Sequence, residues 1–360
     1  MARGRATIKD VAAAVGVSTT TVSHVLNEVP GKRISSDTRA RVFAAADKLG
    51  YAPNALARSL RTQRSNTIAI IGDEIATTPF AGKIILGAQD VALRRDSVVF
   101  VVNTGYRRDV EAREIDELLR RQVDGVLYAS MYHREVELPA ALRAVPTVVV
   151  NATCADERVP WVTPDELAGG EDAAAVLLTA GHRRIAFIND EDPVAAAVGR
   201  ERGFLRAVEA SAAADADVMV LTAESGAEGG YHAGLRLLGG YERPTGIFCF
   251  NDRVAMGVYR AAYELGVRIP RDVSIVGFDN QDFIADGIAP SLTTIELPHY
   301  EMGAWATERL FDLISESAPA GPAPHTRLRG PVIHRHSVAP PSQDSSPGER
   351  RQPADRRGNA

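Results

Sequence analysis

Cysteine is almost missing: Cys154 and Cys249 are the only two in 360 residues. Two thiols so far apart make no disulfide framework, and neither has His or Cys neighbours at metal-ligand spacing. Reduced, structural thiols are expected, as in a cytosol. Long apolar runs are missing too. No stretch reaches the roughly 18 residues that span a bilayer, and the N-terminus has no apolar leader core, so a soluble cytoplasmic protein without a membrane partner is expected. Catalytic signatures are equally absent. There is no Gly-rich phosphate loop ending in Lys-Ser/Thr, no His-Glu-x-x-His and no Gly-x-Ser-x-Gly. A binding protein rather than an enzyme is expected, with no cofactor and no metal. His334 and His336 share one face of a predicted last strand, where packing or solvation accounts for them more simply than a metal. Glu111, Glu114 and Glu117, laced with Arg113, Arg120 and Arg121, are a solvated helix face.

Apolar material is not short. At 45% hydrophobic residues, the chain has room for more than one core. The net charge of −5 hides a split: residues 1–66 hold eleven Lys/Arg against four Asp/Glu, leaving 30 against 42 for the rest. The head is therefore +7 and the body −12. A basic head on an acidic body confines affinity for phosphates to the head.

Within that head, Ile8, Val11, Ala12 and Val15 recur at i, i+3, i+4, i+7 and define one apolar helical face. Gly16 interrupts the pattern and Ser18 is an N-cap for a second helix. Val22, Val25 and Leu26 share one side of it; Thr20, Ser23, His24 and Asn27 share the other, with Thr19 at its start. Two short helices around a tight turn are a helix-turn-helix, whose second helix enters the DNA major groove. Threonine methyls suit the thymine methyl, and hydroxyls and imidazole suit base-edge donors and acceptors. Ser35 or Ser36 caps a third helix with Val42, Phe43, Ala46 and Leu49 toward the core, ended by Gly50. A short segment Asn54–Leu60 follows, too short to be stable alone.

Three stretches, Thr7-Ile-Lys-Asp-Val-Ala, Val17-Ser-Thr-Thr-Thr-Val-Ser and Leu49-Gly-Tyr-Ala-Pro-Asn-Ala-Leu-Ala-Arg-Ser-Leu60, closely resemble the lactose-repressor (LacI/GalR) family of transcription regulators. The resemblance continues to about Val338. It implies that Thr19, Thr20 and His24 read bases while Ser18, Thr21 and Ser23 sit on phosphates. Thr7, Asn27, Tyr51, Asn54, Ala57 and Arg58 complete the implied DNA contacts. Residues 54–60 would pair with a twofold mate in the minor groove, where Leu60 wedges between base pairs and kinks the duplex.

From Thr67 the pattern becomes strands alternating with helices. Apolar runs at Ile68–Ile71, Val98–Val102, Gly125–Tyr128 and Thr147–Val150 have helices near 81–95, 109–121 and 136–144 between them. A second series has strands at Ile185–Ile188, Asp217–Leu221, Gly246–Phe250 and Ser274–Phe278, with helices near 166–180, 199–210, 228–239 and 252–266. Such alternation indicates doubly wound parallel sheets. The expected fold is thus an all-α helix-turn-helix head on an α/β core of two doubly wound lobes, like the periplasmic sugar-binding proteins that the resemblance implies. The expected domains are a head at 1–50, a hinge helix and linker at 51–66, an effector-binding and dimerisation core at 67–338, and a disordered tail at 339–360. Lobe one would take about 67–163 and 296–316, and lobe two about 164–293 and 325–338, with the chain crossing between them three times.

Strand ends turn polar at Asn103, Asn151, Asn189-Asp190, Asn251-Asp252 and Asp279-Asn280. Ligands of doubly wound sheets bind outside the carboxyl ends of strands, and short amides and carboxylates suit sugar hydroxyls. Each can also be a helix cap or turn former. The resemblance picks out Phe80, Asn151, Arg200, Asn251 and Asp279 as effector contacts, with Phe80 stacking on the ligand. Two departures stand out: Val194–Val198 lacks the extra Arg or Thr of purine-responsive members, and Ser225 stands where many members place an aromatic wall. Both favour a sugar-like effector over a purine corepressor. The reading head, with His24, is instead similar to the purine-repressor head. The expected function is a homodimeric repressor of double-stranded operator DNA controlled by a small effector. The lobes alone would also fit a sugar-binding transport protein, which the basic head opposes.

Overall fold

The computed structural model describes residues 6–27, 29, 31–51, 64–78, 82–211, 216–317 and 321–342. The hinge segment 54–60 with Leu60, Phe80 and the tail beyond 342 lie outside the described residues. The chain divides into two units, residues 1–67 with 122–124, and the remainder.

The first unit holds α1 (Ile8–Val15), α2 (Thr19–Leu26) and α3 (Ser36–Leu49). Thr7 caps α1: its backbone N–H and hydroxyl both donate to Asp10 Oδ2, at 2.8 and 2.7 Å. Gly16 ends the helix at φ 74°, a left-handed conformation that only glycine adopts without strain. Val11, Ala12, Val15, Val22, Val25, Val42 and Ala46 form the core. The sequence placed Phe43 and Leu49 in that core, but they are 44% and 40% exposed. Val42 and Ala46, one turn apart, already face α1 and α2; Phe43 falls outside that stripe, and Leu49 lies on it but at the last residue of the helix.

The second unit contains two sheets. In chain order its elements are β1 (Thr67–Gly72), α4 (Gly82–Arg94), β2 (Val98–Asn103), α5 (Arg108–Arg120), β3 (Gly125–Val136), β4 (Thr147–Cys154), β5 (Trp161–Pro164), α6 (Glu166–Thr179), β6 (Arg184–Asp190), α7 (Ala195–Ala210), β7 (Asp217–Ala223), α8 (Ala227–Gly239), β8 (Gly246–Cys249), α9 (Asp252–Glu264), β9 (Ser274–Asp279), α10 (Asp282–Ala285), β10 (Thr293–Glu296), α11 (His299–Ile314), β11 (His325–Leu328) and β12 (Val332–Ile333). The sheets run β11-β5-β4-β3-β1-β2 and β12-β10-β9-β8-β6-β7. Every recorded pairing is parallel except β10 with β12. Buried on both faces, the strands are near-continuous apolar runs such as Ile68–Ile71.

The chain changes lobes three times, at Pro164–Glu166, Glu296–His299 and Leu328–Val332. The last return comes later than the sequence suggested. His325–Leu328 pairs with β5 in the first sheet, where His325 stacks on Trp161 at 4.7 Å, and only Val332–Ile333 joins the second. The helix expected over 136–144 is a 3-10 turn at Ala140–Ala144, because β3 runs on to Val136.

Helices pack in pairs at unusually close range. A Cβ on Gly87 of α4 would lie 2.1 Å from the Tyr300 carbonyl oxygen of α11, and one on Gly303 would lie 2.0 Å from that of Ile84. Gly170 and Gly203 do the same for α6 and α7, and Gly230 and Gly257 for α8 and α9.

Candidate nucleic-acid interface and ligand cleft

In the first unit, Ser18 accepts the Thr21 backbone N–H at 3.0 Å and its hydroxyl meets that of Thr21 at 2.9 Å. That cap orients the first turn of α2 with Ser18, Thr19 and Thr20 exposed. Thr21, Ser23, His24 and Asn27 are half-buried around the same helix, and Tyr51 packs at the edge of the core. The buried Val22 and Val25 hold the opposite side. Arg41 ties α3 to α1 by donating to the Val15 carbonyl at 2.6 Å. Asn27 is turned inward: its amide donates to the Ser23 carbonyl and hydroxyl at 2.7 and 3.3 Å, ending the helix. Asn54, Ala57, Arg58 and Leu60 lie outside the described residues.

The second unit contains a cavity of about 270 Å³ between its lobes. Met131, Tyr132, His133 and Asn151 line it from the first lobe, Asp190, Arg200, Ser225, Asn251 and Asp279 from the second, and Glu166, Leu297 and His299 from the crossings. The four described residues expected to contact an effector, Asn151, Arg200, Asn251 and Asp279, therefore line one cavity. Asn151 sits at φ 56° and its amide donates to the carbonyls of Ser130 and Met131, both at 3.0 Å. Its Oδ1 has no protein partner among the described residues. Asn251 is a cap as well: its Oδ1 accepts the Val254 N–H at 2.9 Å and its amide donates to the Ser225 carbonyl at 3.0 Å. Asn103, Asn189 and Asn280 are structural, whereas Asp190 reaches the cavity. Asn103 accepts from Ala76 N–H, Asn189 donates to Glu201 and the Ala197 carbonyl, and Asn280 accepts from Arg335.

Arg200 is buried and held by two hydrogen bonds and a ring. Its Nε donates to Glu166 at 2.8 Å and its Nη1 to the Phe250 carbonyl at 2.6 Å. The Phe278 ring centroid lies 3.5 Å from its guanidinium carbon. Burial pushes the Glu166 carboxyl up, but Arg200 and His133 outweigh it and hold it near 2. Asp279 differs. Burial lifts it to about 6 although Arg200, Gln281 and Arg253 pull the other way. Behind it Asp252, buried and accepting from Thr294 and the Gln281 N–H at 2.7 Å each, is pushed up to about 8 by burial and by Asp279.

These two aspartates set a pH dependence. A carboxyl whose folded value exceeds the ordinary 3.8 favours the fold when protonated. Its contribution is full below that ordinary value and is lost as pH rises through about 6 for Asp279 and about 8 for Asp252. Stability is therefore expected to fall from pH 6 to pH 8 by about 1 kcal/mol per pH unit, read as a falling melting temperature that levels off above pH 8. Asp252→Asn should flatten that fall; a slope unchanged in this variant would remove Asp252 as its source.

Sequence reasoning missed Glu166, Arg253, Tyr132 and His133. Glu166 opens a helix, where an acid is expected for dipole reasons alone. Arg253 hid behind the Asn-Asp cap; its Nε is buried with no hydrogen-bond partner among the described residues. Tyr132 and His133 belong to the part of β3 that the apolar run did not announce. Among the described residues no group of His, Cys, Asp or Glu could hold a metal ion, and no helix is long and apolar enough to cross a membrane. His336 bonds Ser291 at 2.8 Å, and Arg335 bonds Asp286, Asn280 and the Leu292 carbonyl.

Comparison with known proteins agrees with this two-part layout. Residues 7–54 match the model of the bacterial regulatory proteins of the lacI family, and residues 174–338 match a periplasmic binding protein-like domain. The chain is 33% identical over 337 residues to the HTH-type transcriptional repressor PurR of Proteus mirabilis, covering 93% of this chain and 97% of that one. It is 36% identical over 316 residues to the HTH-type transcriptional regulator RegA of Clostridium saccharobutylicum, covering 86% and 92%. A LacI family transcriptional regulator from Enterococcus faecium with bound ribose superposes with a TM-score of 0.62 at 29% identity, covering 76% of this chain and 99% of that one. A capped recognition helix in a basic head, two crossed-over lobes and these relatives lead to one assignment: the chain belongs to the LacI family and is a DNA-binding transcriptional repressor.

Proposed function

We propose that this repressor binds operator DNA as a homodimer and that a neutral, sugar-like molecule in the interlobe cleft controls its affinity. The observation that carries the reading is the cavity itself. It has the size of a small metabolite, lies at the carboxyl ends of strands from both lobes, and presents carboxylates, an amide oxygen and guanidinium groups among apolar side chains such as Met131, Val194 and Leu297. Such a wall offers donors and acceptors side by side, as vicinal hydroxyls require. The ribose bound by the Enterococcus faecium regulator is of this class. Ligand binding alters operator affinity only through its different affinity for the open and closed lobes, about 1–3 kcal/mol of coupling.

A purine corepressor is the second reading, favoured by relatives named PurR. Against it, Ser225 adds no further aromatic ring to those of Tyr132 and Phe250 that line the cavity, and Val194–Val198 adds no cation. Calorimetry with pentoses, hexoses, hypoxanthine and guanine, each repeated as operator titrations by fluorescence anisotropy, separates the two. The expected result is a sugar that binds without turnover and shifts operator affinity 5- to 150-fold, the range of about 1–3 kcal/mol. A response to purines alone overturns the sugar reading, and turnover of any bound compound overturns binding without catalysis.

The homodimer rests on β2. This edge strand leaves Val98, Phe100 and Val101 exposed at 59%, 41% and 37%, beside Leu86 and Leu93 of α4 at 50% and 72%. An apolar sheet edge of this kind calls for a cover, and a second copy supplies it about a twofold axis. Phe100→Lys is expected to shift sedimentation toward monomer and to weaken operator binding. On the DNA side, His24→Ala should cost about 1–3 kcal/mol of operator binding and relax base preference at one position in each half-site. An equal loss on random DNA would assign His24 to the backbone instead.

A further inference from the structure

Two arginines line the cleft, Arg200 and Arg253, and the more deeply buried Arg200 is already paired with a carboxylate. Glu166 Oε2 takes its Nε at 2.8 Å, and the other Glu166 oxygen faces His133 Nδ1 at 3.3 Å. Both side chains are nearly inaccessible, 4% exposed for Arg200 and 5% for Glu166. Burying a carboxylate is costly, and helix capping does not explain it here. The cap of α6 is the preceding residue: Asp165 accepts the Ala168 N–H at 3.0 Å. Glu166 instead lines the cavity.

We propose that Glu166 sets the charge class of the effector: by cancelling Arg200 inside the cleft, it admits uncharged molecules and excludes their anionic counterparts. With that pair closed, Asp190, Asp192 and Asp279 face the cavity against Arg253 alone, so an anion meets a net negative wall. Replacing the carboxylate by an amide keeps a hydrogen-bond acceptor for Arg200 but removes the opposing charge. The same spot then carries a cation opposed only by Asp279. This deepens the reading of a neutral sugar-like effector, yet the charge rule holds for either ligand class and is tested apart from it.

The experiment is calorimetry on the full chain with pairs that keep the ring and differ by one carboxylate: D-glucose against D-glucuronate, D-galactose against D-galacturonate, and purine against purine-6-carboxylate. The wild-type protein is expected to bind the neutral member of its preferred pair at least 100-fold more tightly than the anion. In Glu166→Gln that ratio should shrink at least tenfold, and in Glu166→Gln/Arg200→Gln it should return toward the wild-type value. Glu166→Asn, smaller and equally uncharged, should narrow the ratio as well, and cooperative melting verifies that each variant is folded. A wild-type cleft that prefers an anion, or takes none of the neutral members, overturns the proposal. So does a folded Glu166→Gln protein with the wild-type ratio. A neutral-purine preference that Glu166→Gln erodes supports the charge rule while ending the sugar reading.

Discussion

Arg200→Met is expected to destabilise the core by about 3–5 kcal/mol at neutral pH, because it strands a buried carboxylate. The wild-type pair is dry, with Glu166 and Arg200 5% and 4% exposed, and the guanidinium also serves the Phe250 carbonyl and lies over the Phe278 ring. Methionine retains part of the packing volume and none of the charge. Without its cation, Glu166 keeps only His133 at 3.3 Å, and burial then raises its carboxyl. The deficit should therefore narrow as pH falls from 7.5 toward 5, where protonation relieves the stranded charge. In the wild type the carboxyl is held near 2, so the contribution of the pair persists above the ordinary carboxylate range and is lost only as pH falls through that value. Urea denaturation at the two pH values measures both quantities. Replacing both members by apolar residues should recover much of the loss, since a buried pair gains little over well-packed hydrocarbon. A single variant within about 1 kcal/mol of wild type would show that water reaches Glu166 and that the pair is not a closed unit.

Gly203→Ala is the second large effect. The added methyl would lie 2.0 Å from the Leu167 carbonyl oxygen, and across the same seam a Cβ on Gly170 would lie 2.1 Å from that of Arg200. Both obstacles are helix backbone, so no side chain can rotate away and the helices must separate. Overpacking costs about 1–3 kcal/mol, and rigid neighbours on both sides put this case at the upper end. The gain in helix propensity from Gly to Ala, about 1 kcal/mol, does not offset it. The expected fall in melting temperature is about 5–10 °C. The same helices carry Glu166 and Arg200, so ligand affinity should drop at least tenfold with it. Gly239→Ala is the control: a methyl there meets nothing within 4 Å, and the melting temperature should hold or rise slightly. Equal behaviour of the two variants would rule out the seam as the cause.

Much of this architecture can be read from residue order. Valines at helical spacing announce the head, because a core needs one apolar stripe per helix, and Val11, Val15, Val22, Val25 and Val42 are that core. The long buried strands are announced by unbroken apolar runs. Four-residue strands are not: Trp161–Pro164 and Thr293–Glu296 are too short and too mixed to show a period, and their pairing comes from neighbours distant in sequence. β3 continues past its apolar run because Asp73 accepts the Met131 N–H at 2.8 Å and Asn151 holds the next carbonyls, a tertiary contact that no local pattern contains. The cleft was half legible. Polar strand ends point to it, yet Asn103, Asn189 and Asn280 fall to turns and struts. The helix seams were hidden for a different reason: glycine inside a helix reads as a local penalty until the partner glycine is seen opposite it.

The three crossings at Pro164–Glu166, Glu296–His299 and Leu328–Val332 lie side by side through the sheets they join. The last is pinned at Gly330, where a Cβ would lie 1.7 Å from the Glu296 carbonyl oxygen of the neighbouring crossing. Three adjacent tethers act as the leaf of a door. Rotation about the line they share deforms each of them slightly, whereas sliding or twisting one lobe past the other would stretch at least one backbone. The core is thereby reduced to a single mechanical coordinate, an angle of opening. A molecule seated in the cleft is therefore expected to act by changing that angle.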